Sequence, residues 1–263
     1  MNKIKLIAVD MDGTFLHSDM TYDRKRFRSI YNKMKDKGIK FVVASGNQYY
    51  QLKSFFEDYQ DELTYVAENG ALIIEDNKEI SSVKIPKEVA LKVIETCSEY
   101  ENVKIGVCGK SSAYILKGQK DFYDEMIKYY HRLEEIGDFS NIDDQILKLA
   151  LVTPSELTYD IRDMLLPIIE KNLIPVVSGH DSIDLISPGR NKGYGIALLQ
   201  EKWGIDPSEC IAFGDSGNDI EMLKQVKYGY AMKNASEEVK AIANYTAEKN
   251  DSDGVLNVIE QYL

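Results

Sequence analysis

The sequence predicts an α/β fold, a Rossmann-like doubly wound parallel sheet interrupted by an inserted α+β domain. Three observations carry this reading. Apolar strands alternate with amphipathic helices in the first third of the chain, the same alternation resumes in the last third, and the middle third follows another order.

In the first third, Ile4 to Val9 is an apolar run without period-2 polarity, as expected of a strand covered by helices on both faces. Phe27, Ile30, Tyr31 and Met34 recur at helical spacing after Asp23, and Gly38 is placed to end that helix. A second strand, Ile39 to Ala44, leads into Ser45-Gly46-Asn47. A helix from Tyr49 to Phe56 is followed by strand Tyr65-Val66-Ala67 and then Glu68-Asn69-Gly70. In the last third the spacing predicts helices over Gly193–Trp203, Asp219–Gln225, Ser236–Ala243 and Gly254–Tyr262, with strands at Cys210–Phe213 and Tyr228–Met232.

The middle third reads as helix from Pro86, strands Val103–Val107 and Ala113–Leu116, and a helix over about Phe122–Leu133. Strand Ile146–Val152, helix Tyr159–Lys171 and strands Ile174–Val177 and Ser182–Ile186 follow. Residues 1–81 and 187–263 are therefore expected to form one core, and residues 82–186 an inserted domain.

With 263 residues, 44% of them apolar, the chain can bury a substantial core. Its 43 Asp and Glu outnumber 32 Lys and Arg, a net charge of −11. That balance argues against nucleic acid or an anionic membrane as a main partner, because phosphate neutralisation needs clustered positive charge. Cys97, Cys108 and Cys210 are odd in number and lack CxxC spacing, so neither a disulfide framework nor a zinc site is expected. No signal-peptide apolar region follows Met1-Asn2-Lys3, and no apolar run approaches the ~18 residues of a membrane span. A cytoplasmic protein is expected, with a monomer plausible.

Chemistry concentrates where core strands end, which in open α/β sheets is where ligands bind. Asp10 and Asp12, one residue apart, share a strand face while Met11 points away. Two close carboxylates repel unless a cation or proton lies between them. An Asx turn at a strand end would use the same residue types. Gly214-Asp215-Ser216-Gly217-Asn218-Asp219 supplies two more carboxylates across a strand-to-helix turn, although Asp219 alone could be an ordinary helix cap. Gathered in one crevice, such carboxylates stay ionised only around a divalent cation, and Mg2+ suits a few carboxylates, a carbonyl and waters.

The ordered set Asp-x-Asp-Gly-Thr, Ser-Gly, Lys and Gly-Asp-x-x-x-Asp resembles the haloacid dehalogenase superfamily. Glu68-Asn69-Gly70-Ala71 and the run Gly214 to Leu223 resemble its Cof-type phosphatases, and Ser45 to Leu52 is similar to bacterial sugar phosphatases among them. The resemblance spans the whole chain. Most Cof-type members carry Arg where this chain has Asn47.

The resemblance implies a hydrolase of small phosphomonoesters, most of all sugar phosphates. It makes Asp10 the nucleophile that forms an aspartyl phosphate, and Asp12 the acid and base that serves leaving oxygen and water. One Mg2+ per chain would be held by Asp10, the carbonyl of Asp12, and Asp215. The backbone of Met11, the Ser45 hydroxyl, the Gly46 amide, Lys192 and Asn218 would bind the phosphoryl oxygens. Asp219 would orient Lys192 or a metal-bound water. Thr14 would stabilise the turn, and Asn47, Asn69 and His180 are candidate leaving-group contacts. The inserted domain would act as a cap that selects the leaving group. The competing readings are a sugar phosphotransferase or mutase, a signalling module with Asp10 as phospho-acceptor, and a sugar-phosphate sensor. An adjacent acid/base at Asp12 has little use in the last two.

Overall fold

A computed structural model of the protein describes residues 3–169, 171–178 and 181–263. The chain begins β1 (Leu6–Val9), α1 (Arg24–Asp36), β2 (Lys40–Ala44), α2 (Tyr49–Phe55) and β3 (Thr64–Ala67). These three strands are parallel, with Val9 beside Val43 and Ala44 beside Val66. An antiparallel hairpin, β4 (Leu72–Glu75) and β5 (Lys78–Ser82), extends the sheet beyond β3. Its turn residues Asp76 and Asn77 both have positive φ, 49° and 58°, as a two-residue hairpin turn requires.

The middle of the chain forms a second sheet. Its elements are α3 (Lys87–Ser98), β6 (Lys104–Gly109), β7 (Ala113–Leu116), α4 (Lys120–Met126), β8 (Leu133–Ile136), β9 (Ile146–Val152), α5 (Thr158–Ile169), β10 (Ile174–Ser178) and β11 (Ser182–Ile186). The six strands run in the order β10-β11-β9-β6-β7-β8, so the sequence order is αββ three times. The helix expected through Leu133 stops at Met126. Tyr130 turns inward to accept the Cys108 thiol proton at 3.3 Å, and the Arg132 carbonyl accepts from Ala113 N–H at 2.8 Å, which starts β8 beside β7. Cross-strand pairing outcompetes the helical spacing there.

The chain then returns to the first sheet with α6 (Lys192–Trp203), β12 (Cys210–Gly214), α7 (Ile220–Lys224), β13 (Tyr228–Met232), α8 (Glu237–Ile242), β14 (Tyr245–Ala247) and α9 (Gly254–Glu260). The eight-stranded order is β14-β13-β12-β1-β2-β3-β4-β5. From β1 the chain winds one way through β2 and β3; from β12 it winds the other way. The crevice beside β1 and β12 is thus the topological switch point, where such sheets bind ligands. Among the described residues no helix is long and apolar enough to cross a membrane.

Separate apolar clusters fill the two domains. Beneath the loop that follows β1, Phe15 packs edge-on against Phe27 at 5.3 Å, and Phe27 also meets Phe41 and Phe56 at 5.2 and 5.5 Å. Aromatic pairs of this kind add to the area they bury and fix the loop's depth. Between the domains the contacts are largely polar. The Gln48 amide donates to the Arg132 carbonyl and accepts from the Arg132 N–H, both at 2.9 Å, while the Arg132 guanidinium stacks over Tyr50 at 3.5 Å.

All three cysteines are buried, and burial pushes the thiols up, to about 11 for Cys97 and Cys210. Titration with a thiol reagent at pH 8 is expected to find no fast-reacting cysteine in the native protein and all three after denaturation. Phe27→Ala should lower unfolding free energy by about 3–5 kcal/mol, measured by urea unfolding, because its cavity opens at the centre of the aromatic cluster.

Candidate active site

The loop after β1 turns as the sequence demands. The Phe15 N–H donates to the Asp10 carbonyl at 3.1 Å and the Leu16 N–H to the Met11 carbonyl at 2.9 Å, closing a wide turn over Asp12. Gly13 supplies a φ of +72° within it, and a Cβ there would lie 2.5 Å from Asp215 Oδ2. Only glycine fits both demands. Thr14 ties the turn to the far side of the crevice by donating its hydroxyl to Asp215 Oδ1 at 3.2 Å, and Asn234 donates to the Gly13 carbonyl at 2.7 Å.

Register brings the polar groups together. Val9 lies between Val43 and Phe213, so Asp10 sits beside the ends of β2 and β12. Lys192, the first residue of α6, reaches the same point and is 0% exposed. Its Nζ donates to Asp10 Oδ1 and to Asp219 Oδ1, each at 2.6 Å. A lysine at a helix N-terminus opposes the helix dipole, so these carboxylates must more than offset that cost. Burial disfavours the ammonium, but Asp10 and Asp219 overcome it and hold Lys192 well above the usual lysine range.

Asp219 has little freedom. Its second oxygen accepts from the Asp215 and Ser216 N–H groups at 2.9 and 3.1 Å. Its contact with Lys192 is the one through which the resemblance would have it orient that side chain. Asp10, Asp215 and Asp219 offer carboxylate oxygens within 4.8 Å of one another. Because Asp219 is fully engaged, Asp10 and Asp215 are the pair left to face a cation. Burial, then Asp219, pushes Asp215 up to about 6, and the same two causes push Asp10 well above the usual carboxylate range. Three carboxylates against one ammonium are undercompensated, and a divalent cation fits that deficit.

Asp12 is more exposed to the opening of the crevice. Burial raises it, while the Asn47 amide, donating to Asp12 Oδ2 at 2.6 Å, works the other way. Asp12 Oδ1 is buried and has no hydrogen-bond partner among the described residues. The neutral Asn47 amide thus holds the Asp12 carboxyl directly, with no added positive charge.

A family model for haloacid dehalogenase-like hydrolases matches residues 7–259. The chain belongs to that family. This hydrolase is 46% identical over 265 residues to the 5-amino-6-(5-phospho-D-ribitylamino)uracil phosphatase YbjI of Escherichia coli, covering 99% of this chain and 96% of that protein. It is 27% identical to a phosphoglycolate phosphatase of Sulfolobus acidocaldarius, over 99% of this chain and 97% of the other. Among solved structures it resembles SMU.1108c from Streptococcus mutans, with a TM-score of 0.94 and 39% identity over 99% of both chains. The hydrolase is a phosphatase of small phosphate esters with an α/β core and an inserted cap.

The structure also brings into this hydrolase's crevice residues that sequence reasoning passed over. Lys148 on β9, buried, pairs with Glu68 Oε2 at 3.1 Å and with Asp184 Oδ1 on β11 at 3.2 Å. The signal was available: Lys148 interrupts the otherwise apolar strand Ile146–Val152, and Asp184 the apolar run Ile183–Ile186. Asn69 bridges the domains, donating to Asp184 Oδ2 at 2.7 Å and accepting from the Asn218 amide at 3.0 Å. His180, a candidate leaving-group contact, lies outside the described residues.

Lys192→Met removes the ammonium and leaves Asp10 and Asp219 buried and unpaired. Unfolding free energy should fall by about 3–5 kcal/mol, read by urea unfolding, and a loss under 1 kcal/mol would show the pair to be solvated instead.

Proposed function

We propose that the protein hydrolyses sugar and sugar-alcohol phosphates by in-line displacement on Asp10, with Asp12 as acid and then base. The observation that carries this is the pairing of Asp10 with Lys192 at 2.6 Å beside an Asp12 carboxyl that has one buried oxygen free. Lys192 works against the burial and the Asp219 charge that raise Asp10, favouring the ionised form that a nucleophilic carboxylate needs. Asp12, raised by burial, can hold a proton without losing its position, because Asn47 fixes its other oxygen.

The chemistry runs in two displacements. An Asp10 oxygen attacks phosphorus as the ester oxygen departs, and Asp12 gives that oxygen its proton. Asp12, now ionised, takes a proton from water as the water oxygen attacks the aspartyl phosphate, releasing inorganic phosphate and restoring Asp10. Ser45, the Met11 and Gly46 amides, Lys192 and Asn218 hold the three peripheral phosphoryl oxygens. Asp10, the Asp12 carbonyl and Asp215 would hold one Mg2+, which when bound supplies charge neutralisation at the phosphoryl group. The cap covers the crevice and excludes water from the first displacement.

Support for the substrate class comes from the relative that is 46% identical, whose named substrate ends in a phosphorylated ribityl chain. A cavity of about 130 Å³ opens beside Asn69 and Asn218, lined also by Ile174, Val176 and Ile186 and by Arg190 and Glu221. An apolar wall facing amides and a guanidinium suits a polyol or heterocycle on the leaving side.

Phosphate release from a panel of sugar phosphates, ribityl phosphates and phosphoglycolate should favour the sugar and sugar-alcohol members. Equal rates across the panel would remove the proposed class. Asp10→Asn should lower kcat at least about 10³-fold, and full activity in that variant would refute the nucleophile. Chelation should abolish turnover and Mg2+ restore it; turnover that persists after exhaustive chelation would exclude the metal.

A further inference from the structure

The cap places a fully buried lysine against the backbone of the phosphate loop. Lys148 stands in β9 among apolar neighbours, where a leucine would satisfy the sheet. One of its partners, Asp184, belongs to the cap. The others, Glu68 and the Gly46 carbonyl at 2.6 Å, belong to the core.

The Gly46 contact falls in a row of three. The Ser45 carbonyl accepts from the Asn69 N–H at 3.0 Å and the Asn47 carbonyl from the Glu68 N–H at 3.1 Å. Those two acceptors are satisfied within the core. The middle one, Gly46, takes its hydrogen bond from the cap, and from a charged donor. The peptide group that carries this carbonyl also carries the Asn47 N–H, which donates to Ser45 Oγ at 3.1 Å. A cation on the carbonyl polarises that N–H, and the occupied lone pair turns the Ser45 hydroxyl proton outward, toward an acceptor in the crevice. A second path leaves the same ion pair. Asp184 Oδ2 accepts from Lys148 at 3.2 Å and from Asn69 Nδ2 at 2.7 Å. Asn69 Oδ1 in turn accepts from Asn218 Nδ2 at 3.0 Å, and Asn218 Oδ1 accepts from Ser216 at 2.7 Å.

We propose that Lys148 is a positioning residue for the phosphoryl site, acting on Ser45 through the Gly46–Asn47 peptide group and, through Asp184 and Asn69, on Asn218. This rests on the reading that Ser45 and Asn218 hold the phosphoryl group. Both paths begin on cap strands and end on core loops, so they exist only with the cap docked. Docking and ordering of the phosphate cradle are then one event.

The test is a double-mutant cycle on the Mg2+-loaded full chain, with p-nitrophenyl phosphate as substrate and inorganic phosphate as competitive inhibitor. Lys148→Gln should lower kcat/KM about 10–100-fold and raise the inhibition constant of phosphate in proportion, with a cooperative melt retained. In a Ser45→Ala background the same substitution should cost several-fold less than in the wild type, because one of its two targets is gone and only the path to Asn218 remains. An equal factor in both backgrounds would overturn the proposal and leave Lys148 a structural strut. Ser45→Ala alone that leaves kcat/KM unchanged would instead refute the underlying reading of the cradle, and the relay with it. Should Lys148→Gln fail to fold, Asn69→Gly, which tolerates the positive φ of 55° at that position, is combined with Asn218→Ala. Non-additive losses there support the relay, and additive losses overturn it.

Discussion

One ammonium group, Lys192 Nζ, organises the centre of this molecule. It touches Asp10 and Asp219 at 2.6 Å, partners 182 and 27 residues away in the chain. Three loops from distant parts of the sequence therefore share a single charge. Without it, the carboxylates at the ends of β1 and β12 would repel across a buried gap, and Gly13 could not lie against Asp215 as closely as it does. With it, Asp219 can commit its other oxygen to the backbone amides that begin the next helix. The geometry of the crevice is an electrostatic solution first and a packing solution second.

The two domains are held together on different terms from those that hold each of them. Inside each sheet the contacts are apolar and continuous. Between them, Gln48, Gln51, Lys148, Asn69 and Asp184 make hydrogen bonds and ion pairs, and Leu147 of the cap joins the core's apolar cluster. Polar groups separated into water find new partners there, so parting such an interface costs far less than parting an equal apolar area. The two sheets thus meet across a polar seam, and the seam runs beside the crevice.

Much of this was legible in the sequence because it rests on local patterns. The alternation of strand and helix, Gly38 at a helix end, and the Asp10, Ser45, Lys192 and Asp215 segments at strand ends all follow from short-range chemistry. The elements that escaped are those fixed by pairing. β8 carries Leu133-Glu134-Glu135-Ile136, which has no strand composition of its own and exists because β7 offers it an edge. The β4–β5 hairpin and the short β14 are edge elements of the same kind. At the site, the sequence indicated which residues meet but not who holds them. Asn47 on Asp12 depends on how the loops after β1 and β2 meet, and Lys148 on Glu68 and Gly46 depends on how the cap sits on the core, long-range facts that no local spacing encodes. A charge in each of two largely apolar strands, Lys148 and Asp184, was the trace the second of these left.

The placement of β1 between β2 and β12 has a further consequence, for the way the molecule is made. Leu6 pairs with Lys40 on one side, within the first segment synthesised, but with Cys210 on the other. The 170 residues from Lys40 to Cys210 separate those two events, which at ribosomal rates of ~5–20 residues per second is roughly 9–34 s. During that interval a strand that is fully buried in the finished protein is an edge strand, apolar and unpaired on one side. Edges of that kind invite the wrong neighbour. The cap, whose pairings are all internal to residues 104–186, can fold while the core waits. The same insertion that divides the active site in sequence sets the time for which the nascent core must remain soluble.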